Sequence, residues 1–248
     1  MLVAKANQIR TDKHSTRRGI APHGIVVHYT AGRDGRINGR CMRERIDHWA
    51  GQIAWESSTD VVIGRNPTID PTVQMVTGRA LFERYTWHCG GSVWRGIPEN
   101  ASALLEDAGS SATRYTKPEE QSNFWLVGAD LDNYGPLEMM RGTPCYRRTK
   151  QQKRKRIGAV PFPGPVFYAK DGCAWEEYTQ GQIAELCTMV RRIVSFCPEI
   201  QAGLIPCPEE IDDTCPIVGH ENIKATKQDP GPAFQQFWPD VYAAAQGG

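Results

Sequence analysis

Two histidines and one aspartate have the residue types and the placing to hold a metal. His28 lies near the end of the β-branched and aromatic run IVVHYT (25–30), His220 follows a short apolar stretch, and Asp229 comes nine residues later, before Pro230-Gly231-Pro232. Two imidazoles and one carboxylate, brought together from separate segments, make a three-ligand site with one open position, as catalytic zinc requires. Zinc is borderline-soft and accepts such mixed nitrogen and oxygen donors. A histidine on an apolar strand is more often a hydrogen-bonded core residue. On spacing alone His14, His23, His48 and His88 are equal candidates.

The elements that must position these residues read as alternating strands and helices. IVVHYT, bounded by Pro22-His23-Gly24 and Ala31-Gly32, is a buried strand ending in a loop. Residues 39–50 place Met42, Ile46 and Trp49 at helical spacing. TDVVIG (59–64) and TVQMVT (72–77) form a hairpin across Asn66, Pro67, Asp70 and Pro71. FWLVGADLD (124–132) is another buried strand. From Tyr178 to Cys197 the apolar residues Ile183, Leu186, Val190, Ile193 and Val194 recur at three- and four-residue steps, with Pro198 just beyond, which predicts the clearest helix. The expected fold is a single α/β domain over 1–248, its core about 20–240, with a central mixed β-sheet flanked by helices.

The chain has 248 residues, 40 % hydrophobic and 23 % charged, with 29 basic against 28 acidic groups and a formal charge of +1. That composition supports a buried core and excludes disordered, collagen-like and heptad-repeat classes. No apolar run reaches the roughly 18 residues of a membrane span, so no membrane insertion is expected. Residues 1–19 carry six charges and no apolar signal core, so synthesis is expected to be cytoplasmic, with access to any external target after release or export. Eight cysteines without a C-x-x-C pair read as thiols rather than a zinc knuckle or a disulfide framework, with Cys207 and Cys215 as the pair that an oxidising space would join.

Between about 134 and 165 the periodicity fails. Pro136, Pro144, Pro161, Pro163 and Pro165 punctuate a segment whose 147–156 run holds seven basic residues and no acid. It reads as a solvated insertion loop, with a binding patch, or cover for the acidic stretch around Glu209, Glu210, Asp212 and Asp213, as the alternatives.

Four strings, in order, carry a resemblance. IVVHYTAG (25–32), WHCGGSVWRG (87–96), LVGADLDN (126–133) and GHENIKATKQDPGPAF (219–234) resemble the signatures of the type-2 N-acetylmuramoyl-L-alanine amidases, and YTQGQIAEL (178–186) resembles the helix preceding the last block in the recycling branch. The resemblance implies that His28, His220 and Asp229 bind Zn2+ and that Lys227 is the catalytic lysine. It implies further that His88 lines the cleft as a substrate-binding residue without binding metal. At the position of the branch's water-activating glutamate stands Asp130, one methylene shorter. Asp130 is the expected general base and Asp60, after Thr59, the reserve. Trp94 is read as an exposed aromatic stacking on a sugar face, with Trp87 and Trp94 as core rings in the alternative, and Arg95 as a cation for stem-peptide carboxylates.

The implied activity is zinc-dependent hydrolysis of the bond between N-acetylmuramic acid and L-alanine in peptidoglycan, by a monomeric lytic enzyme of the endolysin kind. The alternatives are a recycling amidase acting on soluble anhydro-muropeptides and a peptidoglycan-binding module without hydrolysis. A binding module typically lacks a metal ligand, whereas all three candidates are present here. Nucleic-acid binding is not expected, because no recognition motif accompanies the basic run.

Overall fold

The structure is a computed structural model that describes residues 14–17, 19–30, 59–66, 72–74, 84–86, 88, 92–107, 118–148 and 150–247. The helix expected over 39–50, together with Trp87, Cys41 and Cys89, lies outside the described residues. In chain order the strands are β1 (His14–Thr16), β2 (Gly24–Tyr29), β3 (Val61–Ile63), β4 (Val73–Gln74), β5 (Arg84–Thr86), β6 (Leu126–Leu131), β7 (Glu138–Met140), β8 (Thr143–Cys145), β9 (Val166–Tyr168), β10 (Ala174–Glu176) and β11 (Ile217–Gly219). The helices are α1 (Ala101–Asp107), α2 (Pro118–Trp125), α3 (Lys150–Arg154), α4 (Gln180–Phe196), α5 (Pro198–Ala202), α6 (His220–Ile223) and α7 (Trp238–Gln246).

A five-stranded sheet of order β11-β2-β6-β3-β4 organises the molecule, parallel except for the antiparallel edge strand β4. This is the expected mixed sheet flanked by helices. β2 and β6 are buried along their whole length apart from Tyr29, as strands covered on both faces must be, which explains why their other residues are apolar except at His28 and Asp130. In a strand successive side chains point to opposite faces, so Val27 and Ala129 lie on one face while His28 and Asp130, register partners across β2 and β6, share the other.

Helix α4 forms where the 3.6-residue period predicts it. Its start is fixed by a capping box: Thr179 Oγ1 accepts from the Gln182 backbone N–H at 3.1 Å, and Gln182 Oε1 accepts from the Thr179 N–H at 3.2 Å. Gln182 also donates through Nε2 to the Asp132 carbonyl at 2.9 Å, tying the helix to the end of β6. The apolar face of α4 joins α7 and the central strands in one buried cluster.

Two expectations change. Phe124 and Trp125 close α2 rather than open β6, because both rings are wholly buried and need a helical turn to place them against the core next to one another. The 134–165 insertion is an ordered unit. Strands β7 and β8 pair as a hairpin, Cys145 bridges to Pro161, and Leu137, Tyr146, Phe162 and Ala174 make a small core of their own. Glu138 holds the unit together: its carboxylate accepts Arg148 Nε at 3.1 Å and NH2 at 3.0 Å and pairs with Lys153 Nζ at 3.2 Å. Neither Cys207 nor Cys215 is in a disulfide.

Candidate metal centre

The parallel strands deliver the site at their carboxyl ends, where open α/β sheets place ligands. β2 presents His28 near its last position, and β11 runs directly into His220, the first residue of α6. Asp229 is brought back against this corner by the Glu221 N–H, which donates to the Asp229 carbonyl at 2.8 Å. Tyr178 donates its hydroxyl to the Pro230 carbonyl at 2.8 Å. Gly231, at φ +81°, completes the approach: a Cβ there would lie 2.5 Å from the Trp175 ring.

The three predicted ligands converge. His28 Nδ1 lies 2.8 Å and His220 Nδ1 3.1 Å from the same atom, Asp229 Oδ2. One donor atom from each residue lies within 4.8 Å of the other two, and all three residues are buried. Tetrahedral zinc with bonds of about 2.0–2.1 Å separates its ligand atoms by about 3.3 Å, so this donor set fits zinc in size as well as in kind. The outer nitrogens are supported too. Ser92 Oγ lies 2.9 Å from His220 Nε2, and His88 Nδ1 lies 3.4 Å from His28 Nε2. Partners on Nε2 fix ring orientation and leave Nδ1 to face the shared carboxylate.

The electrostatics match. Burial pushes the Asp229 carboxyl up, but hydrogen bonds from His220 and His28 outweigh it and hold the group well below the usual carboxylate range. Burial, with the charge of His28, pushes His220 down to about 4, which keeps it neutral at pH 7. His28 is buried too, yet the Asp229 hydrogen bond and the charges of Asp130 and Asp229 together raise it. The shared carboxylate thus acts on the two imidazoles in the same direction, and burial outweighs it only at His220.

The other predicted residues divide. Asp130 is buried beside His28 in register, and its charge acts on that ring. Lys227 is exposed, but its charge lowers the pKa of both His28 and His220, so it stands within electrostatic reach of the centre. His88 was expected to line the cleft, but its side chain is buried and packs behind His28, Nδ1 lying 3.4 Å from His28 Nε2. Asp60 is engaged elsewhere: Oδ2 accepts the Gly128 N–H at 2.7 Å and lies 3.6 Å from His88 Nε2. Trp94 corrects its exposed-aromatic reading. The residue is 1 % exposed, and its indole N–H donates to the Cys215 carbonyl at 3.0 Å, so its ring is core and has no face for a sugar. The ring fills the space above Gly24 and Gly96, which is why it turns inward. Arg95 has a 65 % exposed side chain and spends its charge on Asp213 at 3.3 Å.

Two contributors escaped the sequence reading. Ser92 lay inside WHCGGSVWRG without a role. Gly128 makes room for His88, whose ring would sit 2.7 Å from any Cβ at that position. Its signal was present: a glycine inside a buried strand marks a close approach.

The sequence model of the N-acetylmuramoyl-L-alanine amidase family matches residues 18–232, which takes in every one of these residues. The chain belongs to that family. A search of curated proteins found no match. Among solved structures, this chain is similar to the N-acetylmuramyl-L-alanine amidase AmiD from E. coli, in complex with the substrate anhydro-N-acetylmuramic acid-L-Ala-D-gamma-Glu-L-Lys. The identity is 16 %, the match covers 90 % of this chain and 59 % of that one, and the TM-score is 0.45. It is also similar to AmpDh3 from Pseudomonas aeruginosa in complex with anhydromuramic pentapeptide, at 19 % identity, 98 % and 66 % coverage and a TM-score of 0.46. The chain therefore spans about three fifths to two thirds of the length of these structures.

Proposed function

We propose that this chain is a zinc-dependent N-acetylmuramoyl-L-alanine amidase that hydrolyses the amide between the lactyl group of N-acetylmuramic acid and L-alanine of the stem peptide. The observation that carries the reading is the convergence of His28, His220 and Asp229 on one point at the carboxyl edge of the sheet. His28 and His220 through Nδ1, and Asp229 through Oδ2, would hold the zinc. Zinc held there supplies Lewis acidity, which lowers the pKa of water towards about 7 and polarises a carbonyl.

The protein groups do the rest. Asp130 takes the proton of the attacking water as its oxygen bonds to the amide carbon, and then gives that proton to the leaving amine as the carbon–nitrogen bond breaks. The aspartate is one methylene shorter than the recycling branch's glutamate, and the β2–β6 register sets it level with His28. Lys227 offers its ammonium to the oxyanion of the tetrahedral intermediate, a contribution whose loss typically costs about 2.7–4 kcal/mol of transition-state stabilisation. Ser92 and His88 keep the two imidazoles oriented. Asp60 has no part in the proton transfer in this reading, because its carboxylate clips Gly128.

The role we assign is lytic, on polymeric wall. Asp229 as the third ligand, the choice of the recycling branch, favours soluble anhydro-muropeptides as the second reading. Mass spectrometry of digests separates the outcomes. Stem peptides with a free N-terminal L-alanine, released from intact sacculi faster than from soluble anhydro-muropeptide, are the expected result. The reverse rate order makes the chain a recycling enzyme. New reducing sugar ends refute the amidase reading, and bound but intact muropeptide makes the chain a recognition module.

A further inference from the structure

The amidase reading leaves the 134–165 insertion without a task, and its surface has a distinct composition. Glu138 is its single acidic residue and is fully used by Arg148 and Lys153. Arg141, Arg147, Lys150, Arg154, Lys155 and Arg156 are left exposed, with no carboxylate partner among the described residues. Helix α3 buries none of its residues, so packing does not account for its presence. Beside these cations stand two bare aliphatic groups: Ile157 is 47 % and Val160 61 % exposed. Arg148 joins the parts into one surface, donating to Glu138 of β7, to the Ile157 carbonyl at 3.2 Å and to Met140 Sδ at 3.3 Å.

We propose that this surface docks the protein on an anionic lipid bilayer. A hydrated polyanion, whether nucleic acid or wall polymer, would satisfy the cations and leave Ile157 and Val160 in water. A bilayer rich in anionic lipid satisfies both, taking the cations at its phosphates and the aliphatic groups at the headgroup–acyl boundary. The contact is peripheral, since no helix of the described residues is long and apolar enough to cross a membrane. It also lies on the side of the metal centre: the Arg147 carbonyl accepts the Tyr134 hydroxyl, and the ring of Tyr29, next to His28, occupies the space above Gly135. Docking therefore holds the carboxyl edge of the sheet near the bilayer.

The test is co-sedimentation of the full chain with vesicles of equal parts phosphatidylglycerol and phosphatidylcholine, beside vesicles of phosphatidylcholine alone, at ~0.1 M salt. The anionic vesicles are expected to pellet the protein and the neutral ones to leave it in solution. The triple variant K150Q/R154Q/K155Q is expected to bind about a hundredfold more weakly. The double variant I157S/V160S, which keeps every charge, is expected to lose about tenfold or more. All five positions are exposed, so both variants should melt with the wild type. Equal pelleting by both vesicle types, or by neither, overturns the proposal. So does full binding by I157S/V160S, or release from vesicles by an equal charge of double-stranded DNA, because either makes the surface a simple polyanion site.

Discussion

The candidate metal centre and the 134–165 insertion are built from the same ingredients, basic nitrogens around a carboxylate, and use them in opposite ways. At the centre one oxygen of Asp229 is shared by two buried imidazoles, and each ring is held from behind by Ser92 or His88. In the insertion Glu138 gathers two cations and the rest face water. Burial makes geometry and protonation obligatory, since an unpaired polar group in a low-dielectric interior costs several kcal/mol. Exposure makes each charge nearly independent, worth about 0–1 kcal/mol as a pair, so that only the sum of many matters. One region is specified atom by atom, the other by its total field.

Removing Asp229 should show this contrast at its largest. Asp229→Ala leaves two buried imidazoles without their common partner, and plasma mass spectrometry is expected to find zinc falling from about one per chain to near none, with loss of hydrolysis. Retention of stoichiometric zinc would place the metal elsewhere. Asp130→Asn comes next: zinc stays bound while turnover falls about 10²–10⁴-fold, and wild-type rates in this variant would take the base role from Asp130. Ser92→Ala removes only the support behind His220, so zinc affinity, read by competition with a chelator, should drop about 10–100-fold. An unchanged affinity would mean that packing alone orients the ring.

The insertion should give the smallest effect, and a pH-dependent one. Hydrogen bonds from Arg148, with help from Lys153, lower the Glu138 pKa to about 2. A carboxyl whose folded pKa lies below its unfolded value of about 4.3 adds stability above that value and loses it as pH falls through the folded pKa. Amide exchange over 138–157 is therefore expected to quicken between about pH 4 and pH 2 in the wild type. In Glu138→Gln it should already be fast at pH 5, with hydrolysis of a soluble muropeptide unchanged. Equal exchange in both proteins would show that the Tyr146–Phe162 core, and not the ion pairs, holds the unit.

Much of the centre was legible in one dimension because its parts are local. IVVHYT is a buried strand by composition, and GHENIKATKQDPGPAF keeps His220, Lys227 and Asp229 within ten residues, so a motif could carry all three. Helix α4 announces itself by a period that each turn repeats, and its capping box joins residues only three apart, Thr179 and Gln182. Trp94 was read outward because a tryptophan in a glycine-rich string has no periodicity to reveal its direction. Its burial depends on Gly24, some seventy residues earlier, and on the Cys215 carbonyl, 121 residues away.

By itself the amino-acid sequence determined the candidate ligand types, the strands and the long helix, because these follow from short-range pattern and from motifs that survive without coordinates. Only the tertiary structure decided that Asp130 stands level with His28 and that His88 rests on Gly128. It likewise turned Trp94 inward and showed the proline-rich segment to be ordered around Glu138. Each of these is a contact between side chains whose separation in the chain carries no local signal. Such contacts arise when strands 60–200 residues apart are set in register and the space between them is filled.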